Sequence, residues 1–465
     1  MKTPDLKKIK YVYLVGAGGI GMSALGLYFK NLGCQIFGYD KTGSEFLGKL
    51  IKEGFKIQYR DSVDEIPMEF INASEDEKLV IYTPAVSNDS SILKFFSEKG
   101  FPTLKRAIAL GLVTQNSKNI SVAGTHGKTT TTAFLAHIYK YAGLNPTAFV
   151  GGILKEVETN FFFGDPSLTI TEADEFDRSF LQLNPSIAVI TSTESDHLDI
   201  YLNFENLKEA FKKFIWQIKK PGYLLIHENA ARTLDLNREY YPDLEIKTYG
   251  ISDQADFRVI EKGYGEFRIE NSGQVIIDAY QPMPGLHNTM NAAAAAIVAY
   301  VDGIDSKKII AACKTFPGLH RRLEKILETP QLLFYDDYAH HPTEIESCIM
   351  ALRKLAGYRK ITGVFQPHLY SRTRDFADEF SKALDLLDNI ILLPIYPARE
   401  PPIPGVDSRL IFDKLKSKNK FLCNKDELLS TLKNLNPRGF LVTIGAGDID
   451  KQVPLIKNWI LNEKV

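Results

Sequence analysis

Residues 121–132 read Ser-Val-Ala-Gly-Thr-His-Gly-Lys-Thr-Thr-Thr-Thr, and no other stretch restricts the fold as much. The apolar residues before it predict a strand at 119–123, and those after it a helix reaching about residue 141. Between the two, Gly124 and Gly127 let the backbone turn tightly, so that successive N–H groups and the positive end of the helix converge on an anion. Lys128 has the reach for the outer phosphates of ATP, and Thr129 the hydroxyl for a magnesium ion. The usual spacing puts the first glycine five residues before the second. Here that position is Val122 and the glycine comes at Gly124, so the loop is a shortened variant. A plain strand-to-helix turn would also use glycines and a threonine cap. Gly-Lys-Thr directly after a strand favours the phosphate loop, with Gly124, Thr125, His126, Gly127, Lys128, Thr129 and Thr130 around the nucleotide.

At 465 residues the chain exceeds one compact core and fits about three domains of roughly 150 residues each. Their expected limits are 1–115, 116–315 and 316–465. Lys and Arg (56) against Asp and Glu (57) leave a net charge of -1, which gives no basic field for nucleic acid or a membrane surface. Any anion must be held locally. The first ten residues are polar and lysine-rich, and the apolar run after them is broken by glycine after five residues, which predicts neither a signal peptide nor a membrane span. A cytoplasmic protein is expected. Cys34, Cys313, Cys348 and Cys423 are far apart and read as reduced packing residues.

The N-terminal region has a strand at 11–15, then Gly-Ala-Gly-Gly-Ile-Gly and a helix over 22–32. Gly16, Gly18, Gly19 and Gly21 supply a turn that lets a backbone approach a diphosphate at a helix N-terminus. A second strand at 35–39 ends in Asp40, placed to meet a ribose or base. Such a turn holds NAD, FAD, a nucleotide sugar, or nothing. A strand at 79–82 leads to a loop with Ser87 at a carboxyl end, where open sheets place ligands, and Arg106 offers a charge to a diphosphate.

Strands at 168–171 and 187–191 end in Glu172-Ala-Asp-Glu175 and in Asp196, His197 and Asp199. Parallel strands beside the phosphate loop would bring these ends to Lys128, giving magnesium the oxygens of Thr129 and Glu172, with His197 a less usual member. Asp174, Glu175 and Asp177 read as helix-start charges on a solvated turn. Alternation over 257–280, with turns at 263–265 and 271–273, predicts a small antiparallel meander. Asn291 then opens an alanine-dense helix; Asn288 and Asn291 can meet a base edge or serve as caps. Arg321 and Arg322 stand at the start of the third region. A strand at 332–335 ends in Asp336-Asp337-Tyr-Ala-His340-His341, and strands at 361–365, 390–393 and 440–444 alternate with helices, including one over 373–387. Loops 366–374 and 396–400 are candidate walls for a small charged substrate.

Taken together, Gly-Ala-Gly-Gly-Ile-Gly, Ala-Gly-Thr-His-Gly-Lys-Thr-Thr-Thr, Glu-Ala-Asp-Glu, Asp-His-Leu-Asp, His-Asn-x-x-Asn-Ala and Asp-Asp-Tyr-Ala-His-His-Pro-Thr-Glu resemble the Mur ligases nearly end to end. The resemblance implies an α/β chain of three domains: a Rossmann-like UDP-sugar domain, a central ATPase domain with a parallel sheet plus the meander, and a Rossmann-like amino-acid domain. The glycine turn then holds UDP rather than NAD. It makes Glu172 and His197 magnesium ligands, Asn288, Asn291 and Arg322 nucleotide contacts, and Asp337 and His341 members of the third-domain motif. A lysine that some members carry carbamylated beside the metals falls at Phe211, as in the alanine-adding branch. Asp177-Arg-Ser-Phe-Leu-Gln-Leu-Asn-Pro185 and Tyr-Pro-Ala-Arg-Glu-x-Pro-Ile-Pro-Gly405 also look like that branch, which implies UDP-N-acetylmuramate and L-alanine as partners; a recycling branch takes a tripeptide instead.

The expected chemistry is an ATP-made acyl phosphate attacked by an amine, with Lys128, magnesium and Arg322 stabilising charge and His341 helping the ammonium lose its proton. An NAD-dependent oxidoreductase would leave Lys128, Glu172 and the paired histidines idle. A nucleotide-driven switch would leave the flanking domains unexplained. Monomer and dimer remain open.

Overall fold

A computed structural model describes residues 4–87, 89–194, 201, 203–398 and 400–463. Three sheets carry the chain. The first comprises β1 (Tyr11–Val15), β2 (Gln35–Tyr39), β3 (Lys56–Gln58), β4 (Lys78–Tyr82) and β5 (Thr103–Lys105), ordered β3-β2-β1-β4-β5 with every pair parallel. The order reverses at β1, so the crevice at its carboxyl end, where the glycine turn lies, is where such a sheet opens.

The second sheet comprises β6 (Lys118–Ala123), β7 (Pro146–Leu154), β8 (Thr159–Phe162), β9 (Asp165–Glu172), β10 (Ile187–Ile190), β11 (Gly222–His227), β12 (Leu244–Gly250), β13 (Phe257–Glu261), β14 (Glu266–Asn271) and β15 (Gln274–Tyr280). Their order is β15-β14-β13-β12-β11-β10-β6-β9-β7-β8. β6 lies between β10 and β9, parallel to both, so the phosphate loop and the two acid-bearing strand ends leave the sheet side by side. Inside, Asn119, Ser121, Thr169 and Thr171 form a buried hydrogen-bonded network that ties β6 to β9. The expected meander is present as β13 to β15. It extends the edge of this sheet, with Gly265, Ser272 and Gly273 at positive φ in its turns.

The third sheet comprises β16 (Glu324–Glu328), β17 (Leu332–Asp337), β18 (Ile361–Phe365), β19 (Asn389–Leu392), β20 (Lys420–Leu422) and β21 (Gly439–Ile444), ordered β16-β17-β21-β18-β19-β20. Only β16 runs antiparallel to its neighbour among the paired strands. β18 and β21 are buried at every residue, as strands covered on both faces require.

The chain forms two compact units: residues 1–260, 268–279 and 290–316 in one, and 261–267, 280–289 and 317–465 in the other. In the first, one apolar core runs from the N-terminal sheet into the central one. Tyr28, on the helix Ile20–Asn31, packs against Phe149 of β7 with ring centroids 5.8 Å apart.

Two expected elements differ. The alanine-dense helix begins at Leu286, not at Asn291, because Gly285 at φ +98 ends the preceding turn and its carbonyl already accepts from the Asn288 and Thr289 amides. Asn288 and Asn291 therefore sit within the helix and cap nothing. The single helix expected over 373–387 is two, Tyr370–Asp375 and Ala377–Leu384, divided at Phe376 with φ -121. Among the described residues no helix is long and apolar enough to cross a membrane.

Candidate active site

The phosphate loop owes its shape to two glycines. Gly124 and Gly127 have φ of +137 and +82, a region costly for any residue with a Cβ. Space forbids a side chain as well: a Cβ on Gly124 would meet the Thr191 hydroxyl and Ser192 backbone, and one on Gly127 the Asn291 amide oxygen. Residues just beyond β10 clasp the loop. The Thr125 amide donates to the Ser192 carbonyl at 3.2 Å, the His126 amide to Ser192 Oγ at 2.8 Å, and the Glu194 amide to Thr125 Oγ1 at 3.0 Å. Sequence reading missed Thr191, Ser192 and Glu194, although they end a strand beside β6. Asn291 supports the other side, accepting from Thr131 Oγ1 at 3.3 Å. Thr129 and Thr130 begin the helix Lys128–Tyr141, both buried.

Four acidic or basic groups gather there. Thr129 Oγ1 donates to Glu172 Oε1 at 3.0 Å, and the Gly151 amide to Glu172 Oε2 at 2.8 Å. Lys128 donates to Glu175 Oε1 at 2.9 Å. Burial pushes the Lys128 pKa down, but the carboxylates of Glu175, Asp174 and Glu172 outweigh it and hold the pKa above the ordinary value. Burial raises Glu172 and Asp174, the latter helped by Glu175. The expectation of a solvated acidic turn fails for Glu175, whose side chain is wholly buried. The turn folds under the loop instead of away from it. Asp177 stays partly exposed, 3.7 Å from Lys105.

Two hard oxygens on different elements, Thr129 Oγ1 and Glu172 Oε1, suit magnesium. His197 lies outside the described residues. Among those described, no three His, Cys, Asp or Glu side chains cluster as a metal site. Phe211 is fully buried edge-on to Phe180, with ring centroids 5.3 Å apart, so that position belongs to the core.

The glycine turn that follows β1 closes on the end of the neighbouring strand β2. The Gly18 amide donates to Asp40 Oδ2 at 2.7 Å and the Thr42 amide to Asp40 Oδ1 at 3.0 Å, so Asp40 braces the turn from below. Gly16 has φ +89, and a Cβ there would strike Thr83 of the loop that carries Ser87. Gly19 precedes the helix Ile20–Asn31 and accepts from the Met22 and Ser23 amides. Ser87 is exposed. Arg106 lies against Gly21, and its guanidinium is 3.8 Å from Asp174. That arginine therefore connects the glycine turn to the acidic run beside Lys128, and it is far from a free surface charge.

In the second unit, Asp337 ends β17 and receives the Leu323 amide at 2.6 Å and the Ala339 amide at 2.7 Å. Burial pushes its pKa up to about 6 against the pull of Arg322 and both amides. The adjacent arginines both lie over the Tyr338 ring, at 5.1 Å for Arg321 and 5.3 Å for Arg322. Arg321 is also taken by Asp336 at 3.1 Å and by the Gly445 carbonyl. His341 precedes the helix Pro342–Ala356, buried edge-on to Phe376. Asn288 donates to the Pro284 carbonyl at 2.7 Å. The expected substrate walls meet: His368 bridges Tyr396, and Ser371 Oγ donates to Glu400 at 2.5 Å.

Comparison with known proteins matches residues 11–118 to the "Mur ligase family, catalytic domain", 122–299 to the "Mur ligase middle domain" and 321–447 to the "Mur ligase, glutamate ligase domain". The chain is 44% identical to the UDP-N-acetylmuramate–L-alanine ligase of Parabacteroides distasonis, covering 97% of this chain and 98% of that protein. It is 42% identical to the enzyme of the same name from Cytophaga hutchinsonii, covering 97% of each. The crystal structure of a UDP-N-acetylmuramate–alanine ligase from Thermotoga maritima superposes with a TM-score of 0.82 at 26% identity, covering 97% of this chain and 99% of the other. With all three domain models in order along the chain and relatives alike over its whole length, this chain belongs to the Mur ligase family.

Proposed function

We propose that the chain is an ATP-dependent ligase that joins L-alanine to the lactyl carboxylate of UDP-N-acetylmuramate, in peptidoglycan precursor synthesis. The full-length likeness to two ligases of that name carries the reading. The union of a glycine turn, a phosphate loop and the Thr129–Glu172 pair supports it. We assign UDP-sugar binding to residues 1–115, ATP to 116–315 and the amino acid to 316–465, and place the reaction in the cytoplasm.

A carboxylate does not condense with an amine in water, so it must first be made a better electrophile. The lactyl carboxylate attacks the γ-phosphorus of ATP, giving an acyl phosphate and ADP. The backbone amides of 124–130 and the Lys128 ammonium stabilise charge on the phosphates. Thr129 and Glu172 would hold magnesium, which supplies further charge neutralisation there when bound. The glycine turn, braced by Asp40, receives the UDP diphosphate, with Arg106 beside it. The neutral amine of L-alanine then attacks the acyl carbon, and the tetrahedral intermediate expels phosphate. From the third domain, Arg322 neutralises charge, Asp337 fixes the loop around residue 338, and His341 takes the ammonium proton.

The test is phosphate release with ATP, magnesium and UDP-N-acetylmuramate, comparing L-alanine, a tripeptide and no amine, with product mass checked. Release that requires L-alanine and gives the alanyl product is the expected result. Release with the tripeptide alone moves the chain to the recycling branch. Lys128→Ala is expected to abolish turnover, and near-normal ligation by that variant removes the ATP-loop assignment.

A further inference from the structure

The Lys128 ammonium is directed into the protein. It donates to the Gly124 carbonyl at 2.6 Å and the Thr125 carbonyl at 3.3 Å, and its nitrogen lies 2.9 Å from Glu175 Oε1 and 2.8 Å from Oε2. The Lys128 side chain is 12% exposed and that of Glu175 0%. On the far side, the Tyr201 hydroxyl donates to the Glu175 carbonyl at 2.7 Å, so the peptide unit bearing this carboxylate is anchored. An ammonium has three N–H donors, and here two carbonyls and a carboxylate engage them.

A nucleotide phosphate must take at least one of those donors. Once within reach of Lys128, its negative charge also comes close to the Glu175 carboxylate, in a buried setting where like charges repel strongly. Two anions then compete for one cation. Neither carbonyl presents that conflict, so Glu175 is the partner that yields. Its anchored backbone confines the change to the side chain.

We infer that Glu175 is a positioning residue, the resting counter-ion of Lys128, which holds the buried lysine folded over its own loop until ATP displaces it. The inference rests on the reading of 124–130 as the ATP loop. It explains why an acid with no phosphate-binding chemistry of its own is buried beneath that loop. An unpaired ammonium there would be costly in the empty protein, and the pair removes that cost at the expense of apparent affinity, since ATP binds fully only where Lys128 is released.

Glu175→Gln keeps the shape and removes the charge. ATP binding by calorimetry, with magnesium and the full chain, is compared for the wild type, Glu175→Gln, Glu175→Asp and Lys128→Ala, together with melting in the absence of nucleotide. Glu175→Gln is expected to bind ATP about three- to tenfold more tightly, to melt lower when empty, and to gain more from ATP than the wild type does. Its KM for ATP falls while that for L-alanine holds. Glu175→Asp, which withdraws the carboxylate by one methylene, moves affinity in the same direction and serves where the glutamine variant does not fold. If the carboxylate had a purely structural role, its removal would lower the empty melting temperature without any gain in affinity. Unchanged or weaker ATP binding in the folded Glu175 variants, with binding lost in Lys128→Ala, overturns the counter-ion role alone. Unchanged binding in Lys128→Ala overturns the ATP-loop reading beneath it.

Discussion

The Thr129 hydroxyl donates to Glu172 Oε1 at 3.0 Å, which joins the first turn of the phosphate-loop helix to the end of β9. Glu172 is aimed by a second contact, the Gly151 amide at 2.8 Å, and a Cβ on Gly151 would run into its carboxylate. The φ of Gly151 lies outside the left-handed region, so alanine there strains nothing in the backbone. Gly151→Ala should therefore turn Glu172 away from Thr129 without unfolding the chain. The magnesium concentration for half-maximal phosphate release is expected to rise about 10- to 100-fold, as it should for Thr129→Ala, with melting nearly unchanged. A magnesium titration beside a melting curve checks both.

Asp40 braces the N-terminal turn beside the Tyr39 carbonyl: the carbonyl takes the Gly16 and Ala17 amides, and the Asp40 carboxylate takes the Gly18 and Thr42 amides at 2.7 and 3.0 Å. Asp40→Ala leaves both amides without that acceptor and lets the turn relax from the shape that a diphosphate needs. The KM for UDP-N-acetylmuramate should rise about tenfold, the equivalent of about 1.4 kcal/mol, while the KM for ATP stays close to the wild-type value. Asp40→Asn, which retains one acceptor, should fall between. Initial rates with each substrate varied in turn separate these outcomes.

What the sequence made legible was local. Gly16, Gly124 and Gly127 announce backbone conformations that no other residue adopts cheaply, and strand ends beside β6 put Glu172 near Lys128 through topology alone. Glu175, three residues further on, was not legible, because the same acidic pattern suits a solvated turn. Only the fold beneath the loop, with Tyr201 on its carbonyl, distinguishes the two. Arg321 and Arg322 show the same limit: the pair is plain in the chain, yet that both lie over the Tyr338 ring and that Arg321 also pairs with Asp336 depends on where β17 and the Gly445 turn lie. The start of the alanine-dense helix was misplaced because asparagine is a good cap, while Gly285, the residue that sets the boundary, lies six positions before Asn291.

Asn291 touches the phosphate loop from behind. Its Oδ1 accepts from Thr131 at 3.3 Å and occupies the space that a Cβ on Gly127 would need. Asn291→Ala removes that backing and leaves the Thr131 hydroxyl, itself fully buried, without this acceptor. The loss should cost about 1–3 kcal/mol, seen partly as a lower melting temperature and partly as a KM for ATP raised roughly tenfold. The KM for L-alanine should not follow.

Asp337 gives a pH dependence whose sign can be worked out. Burial lifts its pKa to about 6, while Arg322 and the amides of Leu323 and Ala339 pull the other way. In an unfolded chain an aspartate titrates at about 3.9. Between about pH 4 and pH 6 the folded protein thus holds a proton that the unfolded chain has released. Stability contributed through this group is fullest below the unfolded value and declines as pH rises through that window, by up to about 3 kcal/mol. Asp337→Asn cannot titrate and loses one of the two amide acceptors, so it should carry a constant penalty with no slope of its own. Unfolding free energies from urea titrations at intervals from pH 4 to 7 give the difference between wild type and variant. That difference should shrink steadily up to about pH 6 and then level off; a difference that is flat throughout would mean that Asp337 is already ionised at the low end and that its two amide contacts outweigh its burial.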